Sequence, residues 1–213
     1  MADRRDDLST RLAQVAAKLR TAASRSSPVM FGAEAHLFRI GPALSEDAVV
    51  GFEERHGVRL PPDYRGFITS VGHGGPGRFG GAGPFYGLLA IDDWDWAVLG
   101  DPDITMLARP FPAEPGRAYD DWLAEAAPGE DDEPYRGTLA LSHQGCDDLS
   151  LLVVSGPARG RVVETGPAKQ GPRSRPTRTS SPGTSNGWTP CCPASGTSAE
   201  RSAVDAPAVP VRL

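Results

Sequence analysis

The sequence has too few cysteines to build a disulfide framework. Its 213 residues include three of them, Cys146, Cys191 and Cys192. An odd and sparse set does not give the paired cysteines of a small secreted domain, and adjacent Cys191 and Cys192 lack the C-x-x-C spacing of zinc ligands. We expect no disulfide scaffold, no metal site and no cofactor, and we interpret Cys146 as a small buried side chain.

Long hydrophobic runs are also missing. No stretch reaches the roughly 18 consecutive apolar residues that a membrane-spanning helix needs. The first residues, MADRRDD, are charged, and they lack the apolar stretch that follows the positively charged start of a signal peptide. These absences predict a chain without a membrane span and, by default, a cytoplasmic location.

The residues that usually carry catalysis are sparse and scattered. The four histidines, at positions 36, 56, 73 and 143, are not spaced with other metal ligands, and no nucleophile, base and orienting group come together. We interpret His56 as a helix-end residue. Of the four histidines only His73, in a glycine-rich loop, is weighed for a site role, and a structural role is favoured there as well. That loop precedes a predicted strand instead of opening a helix, so it is not a phosphate cradle. The sequence therefore favours a binding protein over an enzyme.

Charge is distributed unevenly along the chain. Residues 167–213 carry six of the 22 Lys and Arg residues but two of the 27 Asp and Glu residues, which leaves 16 basic and 25 acidic residues in the rest. An acidic body argues against direct binding of nucleic acid, whose phosphates attract basic surfaces. It is compatible with a basic protein partner.

The pattern of caps and apolar spacing predicts three helices. Residues 3–25 carry apolar residues at helical spacing, and an extended connector is expected over residues 29–44. Ser45 caps the next helix, which ends at Gly57. Pro62 opens the third helix, in which Tyr64, Phe67, Ile68 and Val71 form an apolar stripe.

The second half of the sequence predicts strands. A loop with seven glycines between Gly72 and Gly83 leads into a predicted strand over residues 85–91. A short helix is expected over residues 117–127. Residues 137–144 and 149–155 are predicted to pair as strands, with 151–154 covered on both faces because it is continuously apolar. A last strand begins at residue 161.

An acidic and aromatic cluster follows the first predicted strand. Asp92, Asp93 and Asp95 flank Trp94 and Trp96, and in an extended chain the last two aspartates would lie opposite the tryptophans. One interpretation is a solvated rim over two core tryptophans. The other is an acidic patch that binds a basic partner with tryptophan anchors, extended by the acidic turn Glu130, Asp131, Asp132 and Glu133.

Two blocks of sequence carry a family resemblance. The pattern FE…HG..LP.DYR.F…G.GGAGP.YGL, within residues 38–91, and the segment GTLALSHQGCDDLSLLVVSGPARGRVV, residues 137–163, resemble the SUKH superfamily, the Smi/Knr cell-wall-regulator-like family common in bacteria. The loop GHGGPGRFGGAGP is longer than the usual GGAGP of that family. The residues that match the family pattern, with a structural role implied by the resemblance, are Phe52, Gly57, Leu60, Pro61, Asp63, Tyr64, Phe67, Gly83, Pro84, Tyr86, Gly87, Gly145, Cys146, Gly156 and Gly160.

The resemblance implies a fold and a class of function. The fold is a single α+β domain over residues 30–165, a mostly antiparallel sheet flanked by helices, preceded by an N-terminal helix and linker at 1–29. Bacterial members are often immunity proteins that neutralise polymorphic toxins, nucleases among them, by covering them. Regulatory or scaffold proteins of the cell wall or of signalling are the alternative.

The C-terminal tail, residues 166–213, differs from the rest in composition. It is rich in Pro, Ser, Thr, Gly and Arg, which predicts disorder. Family members usually end in an amphipathic helix, and PTRTSSPGTSNGWTPCC can be back-translated and read two bases on as DPDFLAWYLERVDAVL. We therefore hypothesise that the tail is a frameshifted form of that helix. Sequencing the gene tests this, because the alternate frame must encode the helix.

Overall fold

The architecture is α+β, with helices preceding an antiparallel sheet. A computed structural model describes residues 2–24, 30–77, 79–83, 85–96, 103–112, 135–145, 148–165 and 173–174. In chain order its helices and strands are α1 (Ala2–Ala23), α2 (Glu46–His56), α3 (Pro62–Ser70), β1 (Gly87–Leu88), β2 (Thr138–Gly145), β3 (Asp148–Val153), β4 (Val162–Thr165) and β5 (Arg173–Ser174). This confirms the predicted fold class and the N-terminal helix.

The ends of α2 and α3 follow from local chemistry. The Ser45 hydroxyl accepts a hydrogen bond from the Ala48 N–H at 3.2 Å, which satisfies one of the free donors of the first turn. Gly57 ends α2 in the left-handed conformation, with φ of 63°. Pro62 then opens α3, where its missing N–H has no cost. Both predicted helices are therefore confirmed.

The sheet contains five strands in the order β1-β2-β3-β4-β5, and each pair of neighbours is antiparallel. The predicted pairing of residues 137–144 with 149–155 is confirmed, with Leu139 opposite Leu152. Register shifts after Ala140 and after His143 mark irregularities in β2. Between and next to these shifts β2 pairs with β1, with Gly87 opposite His143.

Apolar side chains cover both faces of the sheet. Leu139, Leu141 and Leu152 face a core that α2 and α3 fill with buried residues such as Phe52 and Phe67. Alternate strand residues form a second core on the other face, which consists of Ala140, Leu149, Leu151, Val153 and Val163 together with Leu89, Phe111 and Ala158 from the connecting segments. The prediction that residues 151–154 are buried on both faces is confirmed.

Helix α1 packs on α3 at a glycine. A methyl group at Gly66 would lie 3.1 Å from the Leu12 side chain and 3.5 Å from that of Leu8. The absence of a side chain there lets α1 approach α3 closely. Arg11 strengthens the contact by pairing with Asp63 of α3 at 3.4 Å.

Two predicted elements differ from the structure. Residues 29–44 are not an extended connector, because Ala33–Ala35 form a 3-10 helix and Leu37 and Phe38 take positive φ angles. The strand predicted over residues 85–91 is reduced to Gly87–Leu88. Phe85 has a φ of 53°, and Ile91–Asp93 form a second 3-10 helix.

The glycine-rich loop packs backbone against backbone. The Gly81 N–H donates to the Leu88 carbonyl at 2.8 Å, and the Leu88 N–H donates back at 3.1 Å. On its other side, a side chain at Gly81 would overlap the carbonyl of Gly74. Gly81 therefore lies between two backbone segments with no room for a side chain. This agrees with the interpretation of the loop as a structural turn.

Several predictions fall on residues that the structure does not describe. These are the helix over 117–127, the acidic turn at 130–133, Pro84, Cys146 and most of the tail. Within the tail, the described residues Arg173–Ser174 pair with β4, so this pair is a strand where the sequence predicted disorder.

Candidate protein-binding surface

Five rings from distant parts of the sequence meet at the end of β2. We call this group, Phe31, Phe79, Tyr86, Trp96 and His143, the aromatic patch. Ring centroids lie 5.5 Å apart for Phe31 and Tyr86, 5.0 Å for Phe79 and Tyr86, and 5.8 Å for Phe79 and Trp96. All three pairs meet edge to face, the geometry that aromatic quadrupoles favour. The patch is thus a continuous, ordered surface.

His143 is the centre of the aromatic patch. Its ring stacks on Phe79 with centroids 4.7 Å apart and an angle of 12°, and it meets Tyr86 and Trp96 edge to face. The Gly145 N–H donates to its Nδ1 at 3.1 Å, which fixes the ring on the strand. His143 itself is buried. Strand β2 therefore supplies the rigid base on which the other rings lie.

A glycine makes room for the outer rings. Gly145 has a φ of 104°, and a methyl group there would lie 3.1 Å from Tyr86 and 3.5 Å from Phe31. Because Gly145 has no side chain, these two rings lie directly over the end of β2. The family-pattern residues Gly145 and Tyr86 thus contribute directly to the patch.

The outer rings of the patch face solvent. Phe31 is 60% exposed and Trp96 is 41% exposed, whereas Phe79 and Tyr86 are half-buried. Single exposed apolar residues are common on protein surfaces, but contiguous exposed apolar patches mark interaction sites. Tryptophan and tyrosine are also enriched among the residues that dominate binding at interfaces.

Two exposed carboxylates stand three and four residues before Trp96 in the chain. Asp92 and Asp93, which we call the acidic shoulder, are exposed in the second 3-10 helix. The Trp96 N–H donates to the Asp93 carbonyl at 3.2 Å, so the shoulder and the indole belong to one ordered turn. The Ala140 N–H donates to the Trp94 carbonyl at 2.9 Å and fixes this turn to β2.

The structure corrects the predicted arrangement of this cluster. The chain turns instead of alternating, so the aspartates and tryptophans do not lie on opposite faces of a strand. Trp94 is buried in the core, and it therefore cannot anchor a partner in this conformation, whereas Trp96 is exposed. Asp95 is half-buried, and its charge acts on His56. The interpretation of Trp94 as a core residue agrees with its burial, and the binding role of Trp96 stays a prediction. Glu130, Asp131 and Asp132 lie outside the described residues.

The other family-pattern residues support the fold. Phe52, Leu60, Tyr64 and Phe67 are buried in the helix-side core, where burial raises the pKa of Tyr64. Pro61 precedes α3, and Asp63 lies in its first turn. Four of the glycines have positive φ angles, which residues with a side chain rarely adopt. They are Gly57, Gly87, Gly156 and Gly160. Gly83 is buried against Leu88.

Two further histidines are buried inside the fold. His36 accepts the Phe38 N–H at Nδ1 and donates from Nε2 to the Phe85 carbonyl, at 2.9 and 3.0 Å. His56 donates from Nδ1 to the Ile104 carbonyl and contacts Phe52 and Trp94. Burial lowers the pKa of both residues. His56 is the last residue of α2, as its position indicated, and its side chain is buried in the core.

His73 lies in the glycine-rich loop at an open pocket. His73 donates from Nδ1 to the Pro42 carbonyl at 3.0 Å and lines an open pocket with Arg39 and glycines of the loop. Among the described residues, no group of three His, Cys, Asp or Glu side chains is placed to hold a metal ion. No helix in the described part of the chain is long and apolar enough to cross a membrane.

Sequence reasoning missed three members of the aromatic patch. Phe31, Phe79 and His143 belong to a connector, a glycine-rich loop and a strand, and their positions span more than 110 residues of the chain. The available signal was indirect. Phe31 and Phe79 each stand next to a glycine and His143 stands two residues from one, but only the fold shows that these rings meet.

Fold and surface together define a class, an α+β domain with an ordered, exposed aromatic patch beside carboxylates. The chain belongs to the SMI1/KNR4 family (SUKH-1), whose family model matches residues 43–174, well over half of the sequence. Comparison with curated proteins and with solved structures gives no match.

Proposed function

We propose that this chain is a non-enzymatic protein-binding module, an immunity protein that neutralises a basic polymorphic toxin, such as a nuclease, by covering it. The observation that carries the proposal is the juxtaposition of the exposed aromatic patch with the acidic shoulder. Aromatic anchors beside charged groups are typical of the centre and rim of a protein interface. Membership of the SMI1/KNR4 family supports a role in protein binding.

The mechanism is occlusion assisted by electrostatic steering. The chain carries 27 acidic and 22 basic residues, with the acidic excess outside the tail. Such a field attracts a basic partner over a distance and speeds its encounter. The aromatic patch then excludes water at contact and slows dissociation. The module needs no bond-making step, because a covered toxin cannot reach its substrate.

The first test is the identity of the partner. A toxin gene immediately upstream of the gene for this chain supports immunity, whereas cell-wall or signalling genes there support the regulatory or scaffold alternative. Co-expression of the encoded toxin domain with this chain should then rescue growth. Continued toxicity, with both proteins soluble, would contradict the proposal.

The second test removes charge near the patch. The triple variant Asp92→Asn, Asp93→Asn, Asp95→Asn should associate with that toxin domain about 3- to 10-fold more slowly at low salt, because it loses part of the steering field. The salt dependence of the association rate, measured by stopped-flow fluorescence, should also weaken.

A matched control removes the same charge elsewhere. The variant Asp6→Asn, Asp47→Asn, Glu54→Gln changes three exposed carboxylates on α1 and α2. It should affect association less than the patch variant does. Equal effects of the two variants would show that only the overall charge matters and would remove the acidic shoulder from the interface.

A further inference from the structure

We infer that the aromatic patch and the acidic shoulder together bind an arginine side chain that the partner presents on a loop. In this arrangement the guanidinium lies on the exposed indole of Trp96 and pairs with the carboxylate of Asp92 or Asp93. The inference rests on the proposed function in one respect, that the partner is a protein. It goes further by naming the side chain that the surface recognises.

The first step of the argument is the exposed ring of Trp96. An indole face is the strongest cation-binding surface among the aromatic side chains. Trp96 is 41% exposed although it contacts Phe79 and His143, whose ring planes lie at 72° and 74° to the indole and hold it in place. A ring that is ordered before binding loses little conformational freedom when a ligand stacks on it.

The second step is the position of the carboxylates. Asp93 is tied to Trp96 by the hydrogen bond from the Trp96 N–H to the Asp93 carbonyl, and Asp92 is its neighbour in the 3-10 helix. A cation placed over the Trp96 indole would therefore lie on the same turn as a negatively charged carboxylate. Glu34, exposed in the first 3-10 helix, adds a further carboxylate three residues from Phe31.

The third step distinguishes arginine from lysine. The guanidinium is planar, so it stacks on an aromatic ring and pairs with a carboxylate through two parallel N–H bonds. The ammonium group of lysine is a compact and strongly hydrated charge. It stacks on a ring less well and cannot form the two parallel hydrogen bonds. A surface that combines a ring face with neighbouring carboxylates consequently favours arginine.

The fourth step excludes a second copy of this chain as the occupant. A two-fold contact would place the same surface on both sides of the interface. The acidic shoulder of one copy would then approach that of the other, and like charges at an interface are unfavourable. A basic partner satisfies both the rings and the carboxylates.

The test uses the full chain labelled with ¹⁵N and two peptides. The probes are Ac-Gly-Arg-Gly-Arg-Gly-NH2 and its lysine counterpart, titrated while the indole N–H resonances are followed by NMR. The Trp96 signal is identified by its loss in Trp96→Phe. We expect this signal to move with the arginine peptide, with an apparent Kd at least threefold lower than for the lysine peptide. An unmoved Trp96 signal, or equal affinities, would overturn the inference.

Variants then locate the binding. Trp96→Leu and the double variant Asp92→Asn, Asp93→Asn should each weaken the arginine peptide at least fivefold. Ile104→Ala, which changes a residue 49% exposed outside the patch, should leave the affinity unchanged. Unchanged binding in the first two variants would contradict the inference. Trp96→Phe keeps a ring and should retain most of the affinity, which separates stacking from a general loss of structure.

Failure of the inference and failure of the proposed function are distinguishable. If the toxin is not neutralised but the arginine peptide still binds at Trp96, only the immunity role is wrong. If the toxin is neutralised equally well by wild type and by Trp96→Leu, the immunity role stands and the arginine site is wrong.

Discussion

Glu53 shows how one side chain holds the link between two helices. It is 3% exposed, and its Oε1 accepts the buried Leu60 N–H at 2.8 Å. Arg59 and Arg65 lie 3.6 and 3.5 Å from its carboxylate oxygens. The carboxylate thus satisfies a backbone donor inside the fold and is itself balanced by two cations, which a buried charge requires.

Replacing Glu53 should therefore destabilise the fold. Glu53→Ala leaves the Leu60 N–H without a partner, and an unsatisfied buried donor costs about 1–3 kcal/mol. We expect the free energy of unfolding in urea to fall by about 2–3 kcal/mol, including the lost ion pairs. Glu53→Gln keeps an acceptor and should lose less. Glu54→Ala, at the exposed neighbouring position, is the control, and a similar loss in both alanine variants would contradict this role.

At the scale of elements, the glycine-rich loop depends on close backbone contacts. Gly81→Ala would force its methyl group into the Gly74 carbonyl. We expect this change to lower the free energy of unfolding by at least about 2 kcal/mol, because rigid backbone must move. Gly51→Ala is the matched control. It lies in α2 with no atom within 4 Å of the added methyl group, and it should stabilise by about 0.5–1 kcal/mol. Urea denaturation measures both, and a neutral Gly81→Ala would show that the loop can rearrange.

The helices and the central hairpin were predictable because their signals are local. Ser45 and Gly57 mark helix ends by chemistry that acts within one turn, and the apolar run at 151–154 reflects burial on both faces. The connectors were not predictable, because tertiary contacts hold them. Phe38 has a φ of 55°, and its N–H donates to the imidazole of His36, which a hydrogen bond to the carbonyl of Phe85, 49 residues away, holds in position. No local pattern signals such a contact.

The aromatic patch could not be predicted from sequence for the same reason. Trp96 was identified as a binding candidate from sequence. Phe79, which contacts it, and Phe31, which joins the patch through Tyr86, were not, because these rings meet only in the folded chain. The acidic residues next to it were identified from the DDWDW pattern in the sequence. Their arrangement on one turn, with Trp94 inside and Trp96 outside, needed the 3-10 helix that the alternating pattern did not indicate.

At the scale of the whole molecule, two buried histidines couple stability to pH. Burial is the largest cause of the lowered pKa of His36, opposed by its hydrogen bond to the Phe85 carbonyl and by the charge of Glu34. Burial likewise lowers the pKa of His56, opposed mainly by the Ile104 carbonyl, while Arg55 lowers it further and Asp95 raises it. Protonation of His36 would also remove the acceptor of the Phe38 N–H.

The sign of the pH effect follows from proton binding. Near pH 6 the unfolded chain, with histidine pKa values of 6.5, binds more protons than the folded chain does. The stability that these histidines contribute is therefore present in full above pH 6.5 and is lost as the pH falls through their lowered folded pKa values.

We expect the free energy of unfolding in urea to decrease from pH 7.5 to pH 5. NMR titration of the imidazole resonances should place both folded pKa values below 6.5. The variant His36→Gln, which has no imidazole to protonate at this turn, should show a shallower decrease than wild type. A steeper one, or imidazole titrations above 6.5, would contradict the burial argument.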